Sequence, residues 1–255
     1  MRALYTHSCS VAPDVELDGE ALERLYATDR STPRLRMNFV ASVDGAVSVD
    51  GLSGGLSGPA DKRAFKVLRG WCDGLVVAAG TVLAEDYGPV TLDADRRARR
   101  VAAGLAPTPT LVVVSGSLSI GPLHASLAQA PVRPIVVTRP DAPDDRRRAL
   151  AEVADVLVAG EPGGGVDLAV ALDALHERGL SQLLCEGGPQ LFAALTAVDR
   201  VDEICLTLSP LLAGGGPGRI STGVGTAGAR GLTLAHVVED ASVLLLRYCR
   251  PSLLH

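Results

Sequence analysis

Short apolar runs alternate with amphipathic segments along most of this chain, from about residue 34 onwards. The runs are rich in valine and leucine and are bounded by glycine, proline or aspartate, which is typical of strands buried on both faces of a sheet. Strands are therefore predicted at residues 35–42, 74–79, 110–115, 134–138, 155–158 and 182–185, with two more at residues 202–209 and 242–250.

The segments between these runs predict helices. Pro59 suits a first helical position, and the apolar spacing that follows it continues a helix. In a later segment Leu168, Leu172 and Leu175 share one helical face. Gly179 is placed to end that helix. Helices are predicted at residues 19–29, 59–70, 93–103, 144–151, 167–178 and 189–197.

The two predicted strands nearest the C-terminus are separated by a connection that contains eight glycines. No helix of useful length fits within it, so we expect these two strands to be antiparallel neighbours. The whole pattern predicts an α/β fold: a mixed, mostly parallel sheet flanked by helices, with an antiparallel C-terminal edge. We expect one domain over residues 34–255, preceded by an N-terminal segment, residues 1–33, with one short helix.

Charge and composition exclude several classes of partner. The chain has 24 basic and 29 acidic residues, a net charge of −5, whereas nucleic acids and anionic membranes favour a basic surface. No window approaches the ~20 apolar residues of a bilayer span, and the first residues lack a signal-peptide pattern. The five cysteines form no CxxC pair, which favours reduced thiols and a cytoplasmic location.

The strongest chemical motif is the run CEGGPQL, which follows an apolar strand and opens a helix. Gly187 and Gly188 would let a pyrophosphate approach the backbone N–H groups at the positive end of that helix. A tight strand-to-helix turn without a ligand explains the same pattern equally well. The motif GxGxxG is absent, and so are HExxH, GxSxG and the P-loop, which disfavours zinc hydrolases, serine hydrolases and P-loop enzymes.

Three weaker motifs follow other strands. Gly80 and Thr81 come directly after an apolar run, where ligands of open sheets bind, although a threonine there is more often only a helix cap. The pair Asp44-Gly45 is more typical of a turn than of catalysis. The glycine-rich residues 50–59 form either a substrate loop or a plain connector.

Four motifs in this order resemble a known family. MNFVASVDG, SGGLSGP, LRGWCDGLVVAAGTVLAED and CEGGPQL are similar to the pyrimidine reductase of riboflavin biosynthesis, which many bacteria fuse to a deaminase. The zinc signature of the deaminase is absent, so the chain resembles a stand-alone reductase. The resemblance implies a dihydrofolate-reductase-like fold, a homodimer and NADPH as cofactor. It also implies hydride transfer to the ribose C1′ of 5-amino-6-(5-phosphoribosylamino)uracil.

The resemblance also implies roles for single residues. Glu186 matches an acidic residue beside the substrate, and we expect it to be the catalytic residue. Ser53 and Arg69 match positions that hold the substrate, Arg69 through its phosphate. The positions implied to contact the cofactor are Val40, Gly80, Thr81, Glu85, Ser115, Gly187, Gly188, Pro189, Gln190 and Leu191.

Two departures from the family pattern concern the substrate. Gly55-Leu56 replaces a Trp-Ile pair, and Tyr87-Gly88 stands where the family continues with a proline and, later, a phosphate-binding arginine. These departures favour an alternative in which the same fold reduces a pterin ring such as dihydrofolate, which needs no grip on a phosphate. A cofactor-binding module that has lost catalysis is a third hypothesis.

Overall fold

The computed structural model of the chain describes residues 1–7, 14–214, 218–223 and 228–253. Gly215, Gly216 and Gly225 of the glycine-rich connection lie outside the described residues. The strands of the described part are β1 (Arg2–Thr6), β2 (Arg34–Ser42), β3 (Gly74–Ala78), β4 (Thr110–Val114), β5 (Ile135–Thr138), β6 (Asp155–Val158), β7 (Gln182–Cys185), β8 (Glu203–Ser209), β9 (Thr233–Asp240) and β10 (Val243–Cys249).

These strands form one sheet in the order β1-β9-β10-β8-β2-β7-β3-β4-β5-β6. Every neighbouring pair from β8 to β6 is parallel. The pairs among β1, β9, β10 and β8 are antiparallel. The expected mixed sheet with an antiparallel C-terminal edge is therefore confirmed, as is the pairing of the two predicted C-terminal strands.

Two strands were not expected from the pattern. The strand β1 lies in the N-terminal segment, and it joins the far edge of the same sheet through β9. The strand β9 lies between the two predicted C-terminal strands, within what the glycines indicated as a long connection. Both strands mix polar and apolar residues, and β1 has an interrupted register at Ala3 and Tyr5, so neither shows a clean alternation.

The helices are α1 (Gly19–Tyr26), α2 (Pro59–Trp71), α3 (Ala79–Ala84), α4 (Ala94–Ala102), α5 (Ala125–Ala128), α6 (Asp144–Ala151), α7 (Leu168–Glu177) and α8 (Pro189–Ala197). Of these, α3 and α5 were not among the predicted helices. Local chemistry sets several starts: Asp18 caps α1, Asp167 caps α7, and Pro59 is the first residue of α2. The helix α1 ends three residues earlier than predicted because Ala27 is extended.

None of the helices in the described part is long and apolar enough to span a bilayer.

The core has two layers, one on each face of the sheet. Leu22 of α1 and Leu68 of α2 pack with Leu184 of β7 on one face. On the other face, Leu172 of α7 and Leu195 of α8 pack against the sheet. Because β7 is covered on both faces, all four of its residues are buried. In open sheets covered on both faces, ligands bind at the carboxyl ends of the strands, so the ends of the central strands are the first place to look for a site.

Candidate functional site

Four neighbouring parallel strands, β2, β7, β3 and β4, end along one side of the sheet, which we call the carboxyl edge. The residues expected to contact a cofactor lie along it. Val40 is near the end of β2, the segment from Gly187 to Leu191 follows β7, Gly80 and Thr81 lie in the first turn of α3 after β3, and Ser115 follows β4. The structure thus brings together segments that are far apart in sequence.

The two glycine turns are in direct contact. The backbone N–H of Ala78 donates a hydrogen bond to the carbonyl of Gly187 at 2.9 Å, which joins the end of β3 to the turn after β7. A Cβ atom at position 188 would lie 2.9 Å from Thr81 Oγ1. Only glycine at position 188 lets the threonine hydroxyl approach this closely.

Gly187 has its own geometric requirement. Its φ is +108°, and a Cβ atom there would lie 3.2 Å from Cε1 of Phe39. The Phe39 ring in turn stacks on Phe192 of α8, with centroids 5.0 Å apart and planes 19° apart. Sequence reasoning did not single out Phe39, although it lies in the first of the four motifs and precedes Val40.

The start of α8 is suited to an anionic group. Pro189 is its first residue, and the capping position, Gly188, makes no side-chain cap hydrogen bond. The first N–H groups of a helix have no partner within the helix and lie at its positive end. Together with the hydroxyl of Thr81, the backbone N–H groups of Gln190 and Leu191 fit the diphosphate of a dinucleotide cofactor.

The main charged pair of the site is Arg69–Glu186. Arg69 Nε donates to Glu186 Oε1 at 2.7 Å, and Arg69 Nη2 donates to Oε2 at 2.5 Å. The Glu186 side chain is only 2% exposed and that of Arg69 is 20% exposed. Burial alone would lower the pKa of Arg69, but the charge of Glu186 and the hydrogen bonds to it raise that pKa above its usual range. The structure therefore brings together two residues that were predicted separately, and it directs Arg69 towards Glu186.

Tyr87 completes this cluster. Its hydroxyl donates to Glu186 Oε2 at 2.9 Å, and the guanidinium carbon of Arg69 lies 5.6 Å from its ring centroid and 4.1 Å from that of Phe65. Burial, and then the nearby charge of Glu186, raise the pKa of Tyr87 above its usual range. The phenol therefore stays a hydrogen-bond donor at neutral pH. The sequence indicated Tyr87 only as a departure from the family pattern.

Ser53 and Glu85 are linked to each other. The backbone N–H of Ser53 donates to Glu85 Oε1 at 2.9 Å. Ser53 begins a short 3-10 turn, Ser53–Gly55, inside the glycine-rich loop. Glu85 follows α3 and therefore ties this loop to the helix that carries Thr81. The roles of Ser53 and Glu85 towards substrate and cofactor stay predictions.

Ser115 takes part in a turn at the end of β4. Its Oγ accepts a hydrogen bond from the N–H of Ser119 at 3.0 Å, and its own N–H donates to the carbonyl of Val137 at 2.9 Å. The residue is buried. These contacts stabilise the turn beside the cofactor segments, and a direct contact of Ser115 with the cofactor stays a prediction.

Asp61 was not singled out by sequence reasoning, although it anchors the start of α2. It is buried, and its Oδ1 accepts a hydrogen bond from Thr207 Oγ1 of β8 at 2.6 Å. Ser57 donates to its other oxygen. The end of the glycine-rich loop is thereby fixed to the sheet, which limits where Ser53 can lie.

Comparison with known proteins identifies related sequences. The family model of the RibD C-terminal domain matches residues 33–246. Two archaeal proteins named 2,5-diamino-6-ribosylamino-4(3H)-pyrimidinone 5′-phosphate reductase are similar to the chain. The one from Archaeoglobus fulgidus is 34% identical over 184 residues, 72% of this chain and 83% of the relative. The one from Methanothermobacter thermautotrophicus is 31% identical over 183 residues, 72% of this chain and 80% of the relative.

A solved structure shows the same fold. The crystal structure of a pyrimidine reductase-like protein from Corynebacterium diphtheriae superposes with a TM-score of 0.76 and 27% sequence identity. The match covers 89% of this chain and 97% of that protein. The similarity therefore extends over most of both chains.

Proposed function

The chain belongs to the RibD C-terminal domain family, and we propose on that basis that it is an NADPH-dependent reductase of a ribosylamino-pyrimidine 5′-phosphate in riboflavin biosynthesis. The observation that carries the proposal is the Arg69–Glu186 pair beside the glycine turn at the carboxyl edge. This arrangement places a buried charged cluster next to a segment that fits a dinucleotide. We also propose that its partners are the cofactor and a small-molecule substrate, without nucleic acid or membrane, and that its location is cytoplasmic.

The cofactor would be held mainly by backbone. The N–H groups at the start of α8 and the hydroxyl of Thr81 would bind its diphosphate, and the backbone near Val40 would contact the nicotinamide. NADPH, when bound, supplies a hydride. The protein's contribution is to position the substrate against that hydride and to exclude water.

Glu186 would position the substrate. Its Oε2 accepts hydrogen bonds from Arg69 and Tyr87, whereas its Oε1 accepts one from Arg69 among the described residues. A carboxylate oxygen has two lone pairs, so Oε1 keeps the capacity to accept a hydrogen bond from a substrate hydroxyl or amino group. Reduction of the opened, imine-like ribosylamine places the hydride on C1′ and a proton on the adjacent nitrogen.

The two archaeal relatives are named for a pyrimidinone with an amino group at ring position 2, whereas the uracil compound has an oxygen there. Both compounds carry the same ribose phosphate and the same reacting carbon. The proposed substrate is therefore a ribosylamino-pyrimidine phosphate, and an assay with both compounds distinguishes the pyrimidinone from the uracil.

One observation favours a second candidate function, reduction of a pterin such as dihydrofolate. Arg69, expected to grip the substrate phosphate, already has two of its nitrogens bound to Glu186. A missing charge-assisted contact to a phosphate costs roughly 1.5–3 kcal/mol, about one to two decades of affinity. A substrate without a phosphate would not incur that loss.

NADPH oxidation, followed by absorbance, distinguishes these candidates. The two ribosylamino-pyrimidine phosphates and dihydrofolate are offered to the same protein in parallel. We expect turnover of at least one of the phosphates and little or none of dihydrofolate. Turnover of dihydrofolate alone would instead establish the pterin function, and tight NADPH binding without any turnover would indicate a binding module.

We further propose that the protein is a homodimer. The strands β8 and β10 lie inside the sheet, so they offer a face instead of an edge to a second copy of the chain. Half-buried apolar side chains form a row across four neighbouring strands on that face: Phe39, Leu206, Leu246 and Val237. Sedimentation should give twice the mass of the chain, and Leu206→Glu should yield the monomer. A monomeric wild-type protein at micromolar concentration would contradict this proposal.

A further inference from the structure

A cavity lies at the amino-terminal ends of β2, β7 and β8, at the edge of the sheet opposite the carboxyl edge. Its volume is about 410 Å3, which is within the usual range for small-molecule sites. Arg34, Gln182 and Glu203 line it, and they are the first residues of β2, β7 and β8. The residues of the carboxyl edge lie near or after the last residues of their strands. The cavity is therefore distinct from the site that holds Glu186.

The charged residues that line this cavity are four arginines, Arg24, Arg30, Arg34 and Arg36, and three glutamates, Glu20, Glu23 and Glu203, so its lining has a small excess of positive charge. Glu203 is completely buried, and its carboxylate contacts three guanidinium groups: Arg34 at 3.1 Å, Arg36 at 2.7 Å and Arg247 at 2.9 Å. Burial alone would raise the pKa of Glu203, but Arg36 and Arg247 lower it to about 2. One carboxylate thus faces three cations in a nearly dry environment.

The three arginines are not equally satisfied. Arg36 also donates to the carbonyl of Tyr26, and Arg247 also donates to the carbonyl of Leu25. The Nε of Arg34 is buried and has no hydrogen-bond partner among the described residues. A buried donor without a partner is costly, and such groups in folded proteins are normally satisfied by protein, water or a ligand.

The cavity also has an apolar part. Leu68 and Trp71 of α2 and Leu183 and Leu184 of β7 line it, together with Tyr26 at the end of α1. A phosphate or another doubly charged group would lose much of its hydration against such walls. A single negative charge on a hydrocarbon body matches both parts of the cavity.

We propose that this cavity is a second ligand site, and that it takes a small apolar monocarboxylate. The carboxylate accepts a hydrogen bond from Arg34, and the hydrocarbon part lies against Leu68, Trp71 and Leu184. The cavity is on the sheet face covered by α1 and α2, whereas the proposed dimer surface is on the other face. A second copy of the chain therefore leaves the cavity accessible.

Intrinsic tryptophan fluorescence can detect binding in this cavity, because Trp71 is the only tryptophan of the chain and lines the cavity. Octanoate is a suitable probe since it is an apolar monocarboxylate that does not absorb where tryptophan is excited. Octanol is the matched neutral probe, with the same chain length and no charge. We expect octanoate to change the Trp71 fluorescence saturably, with a dissociation constant at least tenfold lower than that of octanol.

The variant Arg34→Met removes the unpartnered donor and leaves Glu203 paired with Arg36 and Arg247. It should weaken octanoate binding at least tenfold and leave octanol binding unchanged, since a hydrogen bond to a charged group is worth about a decade or more. The control is Arg133→Met, which removes an exposed arginine beside Asp155, at the other end of the sheet. This control should bind octanoate like the wild type.

The comparison of octanoate with octanol uses unmodified protein, so it stands even if Arg34→Met fails to fold. Equal affinities for the two probes, or no saturable change, would overturn the proposal. Displacement of octanoate by NADPH would also overturn it, because the probe would then be bound at the carboxyl edge. None of these measurements requires turnover, so their outcome is independent of the proposed reductase function.

Discussion

Arg69 binds both carboxylate oxygens of Glu186 through two parallel hydrogen bonds, which fixes the direction of each side chain. The pair joins helix α2 to the residue that follows β7. Bidentate pairs of this kind give geometric precision as well as energy. Because Glu186 is almost completely buried, the pair has to be treated as a unit, and removing either partner leaves the other charge uncompensated.

The variant Arg69→Leu is therefore expected to lower the free energy of unfolding by about 3 kcal/mol, the usual cost of leaving a buried charge without its partner. Urea denaturation measures this. The matched control is Arg200→Leu, because Arg200 also binds both carboxylate oxygens of its partner, Asp173, through two nitrogens, but on the surface. An exposed ion pair contributes little to stability, so the free energy of unfolding of the control should fall by less than about 1 kcal/mol. Equal losses in the two variants would mean that burial does not strengthen the Arg69–Glu186 pair.

The variant Tyr87→Phe tests whether the phenol positions Glu186. It keeps the ring beside Arg69 and removes only the hydrogen bond to Glu186 Oε2, so the stability should fall by about 1 kcal/mol. We expect kcat to fall up to about tenfold, because Glu186 is less well oriented, while the KM for NADPH stays unchanged. The control Tyr5→Phe changes an exposed tyrosine. An unchanged kcat with lower stability would reduce Tyr87 to a structural role.

The contact between Gly188 and Thr81 predicts the result of Gly188→Ala. The added methyl group would be forced to within 2.9 Å of Thr81 Oγ1, so stability should fall by about 1–3 kcal/mol. The KM for NADPH should rise because the turn after β7 is displaced.

The second variant Thr81→Ala removes the clashing hydroxyl and should restore most of the stability of Gly188→Ala in a double-mutant cycle. Gly121→Ala is the control, since a Cβ atom at that position meets nothing within 4 Å. Additive effects of the Gly188 and Thr81 substitutions would show that the two residues do not interact.

His236 predicts a loss of stability in acid. Its burial, and then the charges of Arg247 and Arg36, lower its pKa to about 3 from the ordinary value of 6.5. Below pH 6.5 the unfolded chain therefore binds a proton that the folded protein does not. The stability contributed by neutral His236 is complete above pH 6.5 and falls as the pH drops towards 3, by about 2 kcal/mol between pH 7 and pH 5.

Urea denaturation at both pH values tests this prediction. The variant His236→Gln should lose about 2 kcal/mol less than the wild type over that interval. His7→Gln, which changes an exposed histidine, should keep the wild-type pH dependence. The prediction fails if His236→Gln and the wild type lose stability in parallel.

Local pattern was enough to predict most of the sheet. The strand β7 and the helices α6 and α8 begin and end at the predicted residues, because each is bounded by residues that favour a turn or a cap. The strands β1 and β9 could not be predicted in the same way. Of the strands in the described part, β1 pairs only with β9, near the opposite end of the chain, and β9, although it also pairs with the adjacent β10, has no strong apolar pattern of its own.

Individual residues of the candidate site could be proposed from the sequence, but their contacts with one another could not. Glu186, Arg69 and both glycine turns could be singled out from motifs and the family resemblance. The contact of Gly188 with Thr81 depends on β3 lying next to β7, which is a property of strand order and not of local sequence. From the sequence, Tyr87 was only a departure from the family pattern. The structure shows that its hydroxyl donates a hydrogen bond to Glu186.

The pairing of β1 with β9 also bears on how the protein folds. Arg2 of β1 is opposite Glu239 of β9, so this contact closes a loop that contains almost the whole chain. Contacts between such distant residues form slowly, because the entropy of closing the loop is lost before the contact stabilises it. During synthesis the backbone of β1 can bond to residues 14–17, but its place in the sheet has to wait until β9 has been made. The parallel half of the sheet, which needs nothing after β8, can be assembled first, and the edge strand is expected to join last.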